Sequence, residues 1–561
     1  MSAAGSRPEL AVEGFPTRRP RWVQIATSAD HKDVGRVMVV AALGFLFMAL
    51  VELLLMRLQL AIPENTFLTP VTFNRMLSLY GATAIFLFAI PLALGLLYYV
   101  APLQIGARGT ALPRLGQLGL WLYLAGATIL YTGFLYTPSE AGVNPLTPLS
   151  GIAFLPNNGV DAWCASTGLA TLGFVLIAID LVATLHALRA PGMAWRRLPV
   201  FSWAAAICSW LLVAIGPVML GAITMLLVDR NFDGIFFAGD AGGSPLLWEH
   251  LSWIFFSGAY VLILIFALAA IAEIVPMMAG RPLFNRGAVI GSLAAIAVLG
   301  PLAWMQNMLT APIGIAWMYF AMTMALAMIV PFGLVFFNLI ATLVGGTVRM
   351  RAPLLFAAGA IVSISIGLGA EIEHSMVAAA WQLKNTVDAT AATHFALVGG
   401  GVFGGFAALH WWFPKMTGRT MGESLARASF WTMALGMLAA FVPLFLAGGV
   451  EGEVIDAYKY FGGEGVSTYN LISSIGAFLL AAGILMNIVN AILSREGGAE
   501  AGHDPWGGDS LEWFALSPPA PHNFDVLPDV RSARPLRDIR EAIGHRTARA
   551  EGRPRESQPI A

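Results

Sequence analysis

Long apolar stretches, cut by short polar ones, make up most of this chain. A membrane-spanning helix needs about 20 mainly apolar residues. Windows of that kind recur about twelve times, at 34–56, 79–101, 115–136, 165–188, 201–228, 247–278, 288–309, 315–344, 353–372, 391–412, 428–449 and 468–494. The pattern predicts an all-α integral membrane fold, a twelve-helix bundle over 34–494. A polar tail, 1–33, precedes it, and a tail rich in Pro, Arg and Glu, 495–561, follows. The second tail is expected to hug the surface or to be partly disordered. The N-terminus lacks an apolar core beside a small-residue cleavage site, so it reads as a tail rather than a signal peptide. No strong internal repeat is visible, which weakens an inverted-repeat transporter reading.

Charge adds an orientation. Arg18, Arg19, Arg21 and Lys32 precede the first span. Alternate loops then carry Arg108 and Arg114; Arg189, Arg196 and Arg197; Arg281 and Arg286; Arg349 and Arg351; Lys415, Arg419 and Arg427. The intervening loops are acidic or neutral, with Asp229, Asp233, Asp240, Glu451, Glu453 and Asp456. The positive-inside bias therefore predicts that both termini are cytoplasmic. Composition agrees with a lipid environment: 57% of the 561 residues are hydrophobic and 12% are charged, with mean hydropathy +0.73. A formal net charge of -1 excludes a basic nucleic-acid binder. The two cysteines, Cys164 and Cys208, border or lie in apolar segments and suggest neither a disulfide framework nor a Cys-rich metal site.

Polar residues inside apolar runs are the chemical candidates. Gln306 and Asn307 stand side by side in "AWMQNMLT". As ligands their amide oxygens are hard and weak for copper or iron, so an amide pair hydrogen-bonded within the bundle is the expectation. Asp180 and Glu273 are intramembrane carboxylates, read as structural, with Asp180 reaching polar partners near a helix end. His186, His374 and His410 fall near predicted helix ends and are expected at the membrane interface. The "GGG" at 399–401 lies inside the tenth span, where Gly permits close helix packing. No P-loop and no persuasive Ser/His/Asp arrangement is present.

A series of motifs, in order from about residue 30 to about residue 530, carries a resemblance. They are "DHKDVGR", "LLLMRLQLAIPEN", "PLQIGARG", "LRAPGM", "DRNFDGIFF", "PLLWEHLSW", "RPLF", "FNLIATLVGG", "WWFPKMTGR", "SSIGAF" and "DPWGGDSLEWFALSPPAPHNF". Together they resemble subunit I of the haem-copper respiratory oxidases, bacterial cytochrome c oxidase subunit I in particular. That family's chemistry uses two axial histidines on a low-spin haem, one on a high-spin haem and three on a copper ion, for which neutral imidazole is suited.

Carried over residue by residue, the resemblance finds most of those positions changed. In "LSLYGATAIFLF" Tyr80 stands at the first low-spin ligand. In "WIFFSGAYVLIL" no histidine or glutamate remains, and Tyr260 is the candidate match for the family's crosslinked tyrosine. Gln306 and Asn307 occupy the places of an adjacent copper-histidine pair. The tenth span of the family carries His-x-His, whose side chains lie roughly 200° apart on the helix. Here His394 matches the second low-spin ligand and Ala392 replaces the high-spin one.

The proton paths and the outer sites are changed too. Gly109 stands at the mouth of one path, and Val335, near Phe332, at the lysine of the other. The propionate-holding arginine pair aligns with Gly452 and Glu453, which reverses the electrostatics. Lys384 and Asn385 fall on the His-Asp of the magnesium site. The expectation is a subunit I-like component of a respiratory oxidase-type complex, non-catalytic, with no cofactor, or at most one haem held by His394 and Tyr80, since tyrosinate can ligate haem iron. Its partners are expected to be the lipid bilayer and oxidase-type subunits II and III, in a bacterial cytoplasmic membrane. Two alternatives stand beside it: a working cytochrome c oxidase subunit I, and a transporter or apolar-ligand binder using emptied haem cavities.

Overall fold

The structure is a computed structural model that describes residues 21–550. Among the described residues, twelve helices are long and apolar enough to cross a membrane. They are α1 (His31–Gln59), α2 (Pro70–Gln104), α3 (Pro113–Tyr136), α4 (Gly159–Ala187), α5 (Val200–Asn231), α6 (Pro245–Ala279), α7 (Arg286–Met308), α8 (Ile315–Leu343), α9 (Ala352–Ser375), α10 (Val387–Thr417), α11 (Glu423–Gly449) and α12 (Gly465–Gly497). Each falls on one of the apolar windows found in the sequence. No strand is formed among the described residues; pairing is limited to isolated bridges such as Thr386 with Val454.

Local signals set the ends. Asp30 caps α1 by accepting a hydrogen bond from the Lys32 amide at 2.9 Å, satisfying a donor the first turn leaves open. Thr69 caps α2 in the same way, with Pro70 at the first helical position, where its missing N–H costs nothing. Gly280, at φ +65°, ends α6 in the left-handed conformation that glycine adopts without strain.

Burial separates inner from outer helices. The most apolar window of α2 is 89% buried, that of α6 83% and that of α10 78%, against 33% for α3 and α8. The first three form the centre, and the others turn a face to lipid. α11 packs lengthwise on α12, and α3 on α4. Two central helices are not regular: α2 widens to a π-helix over Thr83–Ala89 and α10 over Val398–Gly404. Such bulges concentrate at functional sites. Here they face each other, since a Cβ placed on Gly401 would lie 3.7 Å from Phe88 and 3.8 Å from Ala89.

α7 departs from the sequence expectation. Its α-helical part stops at Leu302, and Trp304–Met308 forms a 3-10 turn. Gln306 and Asn307 therefore sit on a 3-10 turn at the end of the span rather than on its regular helix. The tail after α12 closes one end of the bundle, burying Leu511, Trp513, Phe524 and Val530. Asn523 donates to the Ala107 carbonyl at 2.8 Å and accepts from Lys32 Nζ at 2.7 Å. A last helix spans Pro535–Ala550. The ends of the two expected tails, 1–20 and 551–561, lie outside the described residues.

Candidate functional site

Tyr80 on α2 and His394 on α10 precede the two π segments by three and four residues, so the central packing brings them face to face. Tyr80 Oη lies 2.8 Å from His394 Nε2, and the rings are parallel within 3° at a centroid separation of 6.1 Å. His394 Nδ1 lies 2.8 Å from the Thr390 carbonyl. A carbonyl only accepts, so Nδ1 carries the proton and Nε2 accepts from the tyrosine hydroxyl. The imidazole also stacks on Phe441 of α11, at 4.9 Å and 23°. Both ring nitrogens are thus committed.

A transition metal held between two axial donors keeps them roughly 4 Å apart. At 2.8 Å these two atoms leave no space for iron or for a porphyrin plane. The pair, so arranged, does not fit an axially ligated haem.

Two buried charges border this pair, and the sequence reading passed over both. Glu52 on α1 is 4% exposed. Its Oε1 accepts from Tyr131 Oη at 2.9 Å, and the same hydroxyl lies 3.0 Å from Thr83 Oγ1. Glu52 Oε2 has no protein partner among the described residues. Arg57, one and a half turns further along α1, donates from Nη2 to Asn470 O and Oδ1, both at 3.0 Å, and to Ser474 Oγ at 3.3 Å. Asn470 Nδ2 in turn donates to Glu453 Oε2 at 2.7 Å. Burial pushes the Glu453 carboxyl above the usual carboxylate range, opposed by Asn470 and Arg57. A charged residue inside an apolar run was the available signal for both, since such a group requires a partner.

A second group of the singled-out residues gathers where α6, α7 and α9 meet. Gln306 Nε2 donates to Glu371 Oε2 at 3.0 Å and to its carbonyl at 3.3 Å. Asn307 Nδ2 donates to Ser257 Oγ at 3.3 Å. Lys384, in the loop before α10, donates from Nζ to the Gln306 carbonyl. Burial lowers the Lys384 ammonium to about 8, with Glu371 acting the other way. Tyr260 Oη is buried without a protein partner among the described residues.

Ala392 is fully buried on α10. A Cβ placed on Gly367 of α9 would lie 2.5 Å from the Ala396 nitrogen and 2.9 Å from the Ala392 carbonyl, so the two backbones touch there. Val335 and Phe332 are core residues, while nothing lies within 4 Å of a Cβ built on Gly109. Among the described residues, no group of three or more His, Cys, Asp or Glu is placed to hold a metal ion.

The remaining candidates resolve into structural contacts. His374 and His410 were expected at the interface, yet both are buried, at 1% and 4% exposure. His374 Nε2 meets Asp388 Oδ1 at 2.7 Å. His410 stacks on Phe356 at 5.2 Å and lies 3.4 Å from Asn487. His374 is covered by the start of α10, and His410, inside α10, by α9 and α12. His186 is exposed, beside Trp195 and Trp210. Asp180 accepts from Tyr98 Oη at 2.5 Å and the Leu112 amide at 2.6 Å, and Glu273 accepts from the Phe201 amide at 3.1 Å. Cys164 and Cys208 are free and buried.

Twelve apolar spans among the described residues, without a strand, define a polytopic integral membrane protein. The family described as "Cytochrome C and Quinol oxidase polypeptide I" matches residues 33–479, and the chain belongs to this haem-copper oxidase subunit I family. It is 35% identical over 526 residues to cytochrome c oxidase subunit 1 of Bacillus subtilis, covering 93% of this chain and 83% of that one. It is 33% identical over 524 residues to quinol oxidase subunit 1 of Bacillus spizizenii, covering 93% and 81%. A solved haem-copper terminal oxidase dimer shares the fold, with TM-score 0.73, 13% identity and 84% of each chain covered.

Proposed function

We propose that this chain is a non-catalytic, subunit I-like component of a respiratory oxidase-type complex, embedded in a bacterial cytoplasmic membrane beside subunits II- and III-like partners. The observation that carries the reading is the Tyr80–His394 contact: the histidine retained at a low-spin ligand position gives Nε2 to a tyrosine hydroxyl 2.8 Å away. Around it, Gln306, Asn307 and Ala392 stand where the family places metal-binding histidines, and the two amides are engaged with Glu371 and Ser257. The wall provided by Gly367 against Ala392 and Ala396 argues for a packed interior over an emptied, ligand-binding haem cavity. Kinship with subunits named for larger oxidases supports a place in a multi-subunit assembly.

The family resemblance equally raises the reading of a working oxidase, and one measurement separates the two. Visible spectra of the purified chain, oxidised and dithionite-reduced, are recorded with iron and copper counted per chain. The proposal expects neither a Soret band nor stoichiometric metal, together with co-purification of oxidase-type subunits under mild extraction. One haem per chain, lost in His394→Ala, would make it an electron-transfer relative. Two haems and a copper would overturn the reading and assign oxygen reduction to this chain.

A further inference from the structure

The loop between α4 and α5, residues 188–199, holds basic side chains that nothing described so far uses. Arg189, Arg196 and Arg197, with His186, line a cavity of about 450 Å³ that opens to the surface. None of the three arginines forms an ion pair among the described residues. Arg197 is partly committed, donating to the Gly192 and Val530 carbonyls at 2.8 and 3.0 Å. Arg189 lies with its guanidinium carbon 4.6 Å from the centre of the Trp195 ring, which fixes its plane. Its Nη1 is buried with no protein acceptor among the described residues, whereas the neighbouring Arg286 faces the carboxylate of Glu273. Arg286 borders the loop, donating from Nη1 to the Arg196 carbonyl at 2.9 Å. A buried guanidinium donor left without an acceptor, as on Arg189, requires an explanation, and an oxyanion supplies one.

The surroundings identify which oxyanion. The cavity lies at the end of the bundle that carries the Arg- and Lys-rich loops, the end that the positive-inside bias turns to the cytoplasm. Trp210 is 53% exposed and edges His186 at 6.1 Å. An exposed indole there marks the headgroup level of a bilayer. From the loop an outward-facing apolar stripe runs down α5 through Ile207, Trp210 and Ala214, and α4, packed on α5, turns Leu172 and Ile179 outward as well. A basic pocket opening onto an apolar helix surface matches a phospholipid rather than a free anion.

We propose that the α4–α5 loop is a binding site for the phosphodiester headgroup of an anionic phospholipid. Arg189 and Arg196 hold the phosphate oxygens, and the acyl chains lie along α4 and α5. Basic pockets among membrane helices bind acidic lipid headgroups by this combination of charge and apolar support.

The test is native mass spectrometry of the full-length, detergent-purified chain, titrated in turn with phosphatidylglycerol, phosphatidylcholine and inorganic phosphate. The wild type is expected to retain one phosphatidylglycerol in preference to phosphatidylcholine. Arg189→Gln with Arg196→Gln should weaken that retention about thirtyfold, the weight of two basic side chains near an anionic headgroup. Removing two charges from another basic loop, by Arg108→Gln with Arg114→Gln, should leave it unchanged. Equal retention of the two lipids, an undiminished preference in the first double variant, or an equal loss in the second would overturn the proposal. Displacement of the lipid by millimolar phosphate would assign the pocket to a soluble anion and overturn it as well. A circular dichroism spectrum matching wild type excludes misfolding as the cause of a loss.

Discussion

The Tyr80–His394 contact gives a prediction whose size can be worked out. Tyr80→Phe keeps the ring, its packing and its parallel placement, and removes only the hydroxyl that donates to Nε2 at 2.8 Å. A buried acceptor left without its donor costs about 1–3 kcal/mol, and for this half-buried pair the lower part of that range applies. His394→Ala loses the same bond and also the stack on Phe441, worth about 0.5–1.5 kcal/mol, so its total is about 1.5–3.5 kcal/mol. Because the bond is counted in both single variants, the double variant should fall short of their sum by about 1–2 kcal/mol. Reversible unfolding in mixed micelles, followed by circular dichroism, measures the four corners of this cycle. Additivity within about 0.3–0.5 kcal/mol would refute the direct contact. A visible spectrum that changes in Tyr80→Phe would refute it in a different way, by revealing an iron between the two side chains.

Three further outcomes follow from the packing and charge. Gly367→Ala is expected to cost about 1–3 kcal/mol, because its Cβ would meet backbone atoms of Ala396 and Ala392 and force α9 from α10; Gly109→Ala, in open space, serves as the tolerated control in the same unfolding assay. Lys384, lowered by burial to about 8, holds its proton more weakly when folded than when unfolded. Its charge therefore opposes folding below about pH 8, and the opposition fades as pH rises from there towards the ordinary lysine range; Lys384→Met should flatten that rise in stability. Asn523→Ala removes the acceptor of Lys32 Nζ and the donor to the Ala107 carbonyl, so limited proteolysis should cut within 500–550 faster than in wild type.

The twelve spans were legible because an apolar run of bilayer length has few alternatives to a buried helix. The family was legible because its loop and cap motifs lie in short contiguous strings. Side-chain pairing was not, since it depends on which helices become neighbours. Arg57 finds Asn470 and Ser474 more than four hundred positions along the chain, and no local pattern announces that. His374 reads as interfacial from its place near a helix end, yet Asp388 at the start of α10 turns inward to meet it. Gln306 and Asn307 were recognised as amides needing partners, but the turn that presents them depends on where α7 stops. The Tyr80–His394 approach depends in turn on two π segments, and periodicity does not distinguish these from an ordinary helix.

The seam between the two ends of the chain bears on how the molecule is made. His31 and Lys32 open α1, and both bond to Asn523, which is synthesised only after all twelve spans. Until that late segment arrives, a buried imidazole and an ammonium have no side-chain amide to meet them, whatever the state of the helices between. Closure of the bundle therefore waits on synthesis of that segment. A chain that stops short of Asn523 has an unsealed base, with Lys32, His31 and the Ala107 carbonyl deprived of their common partner.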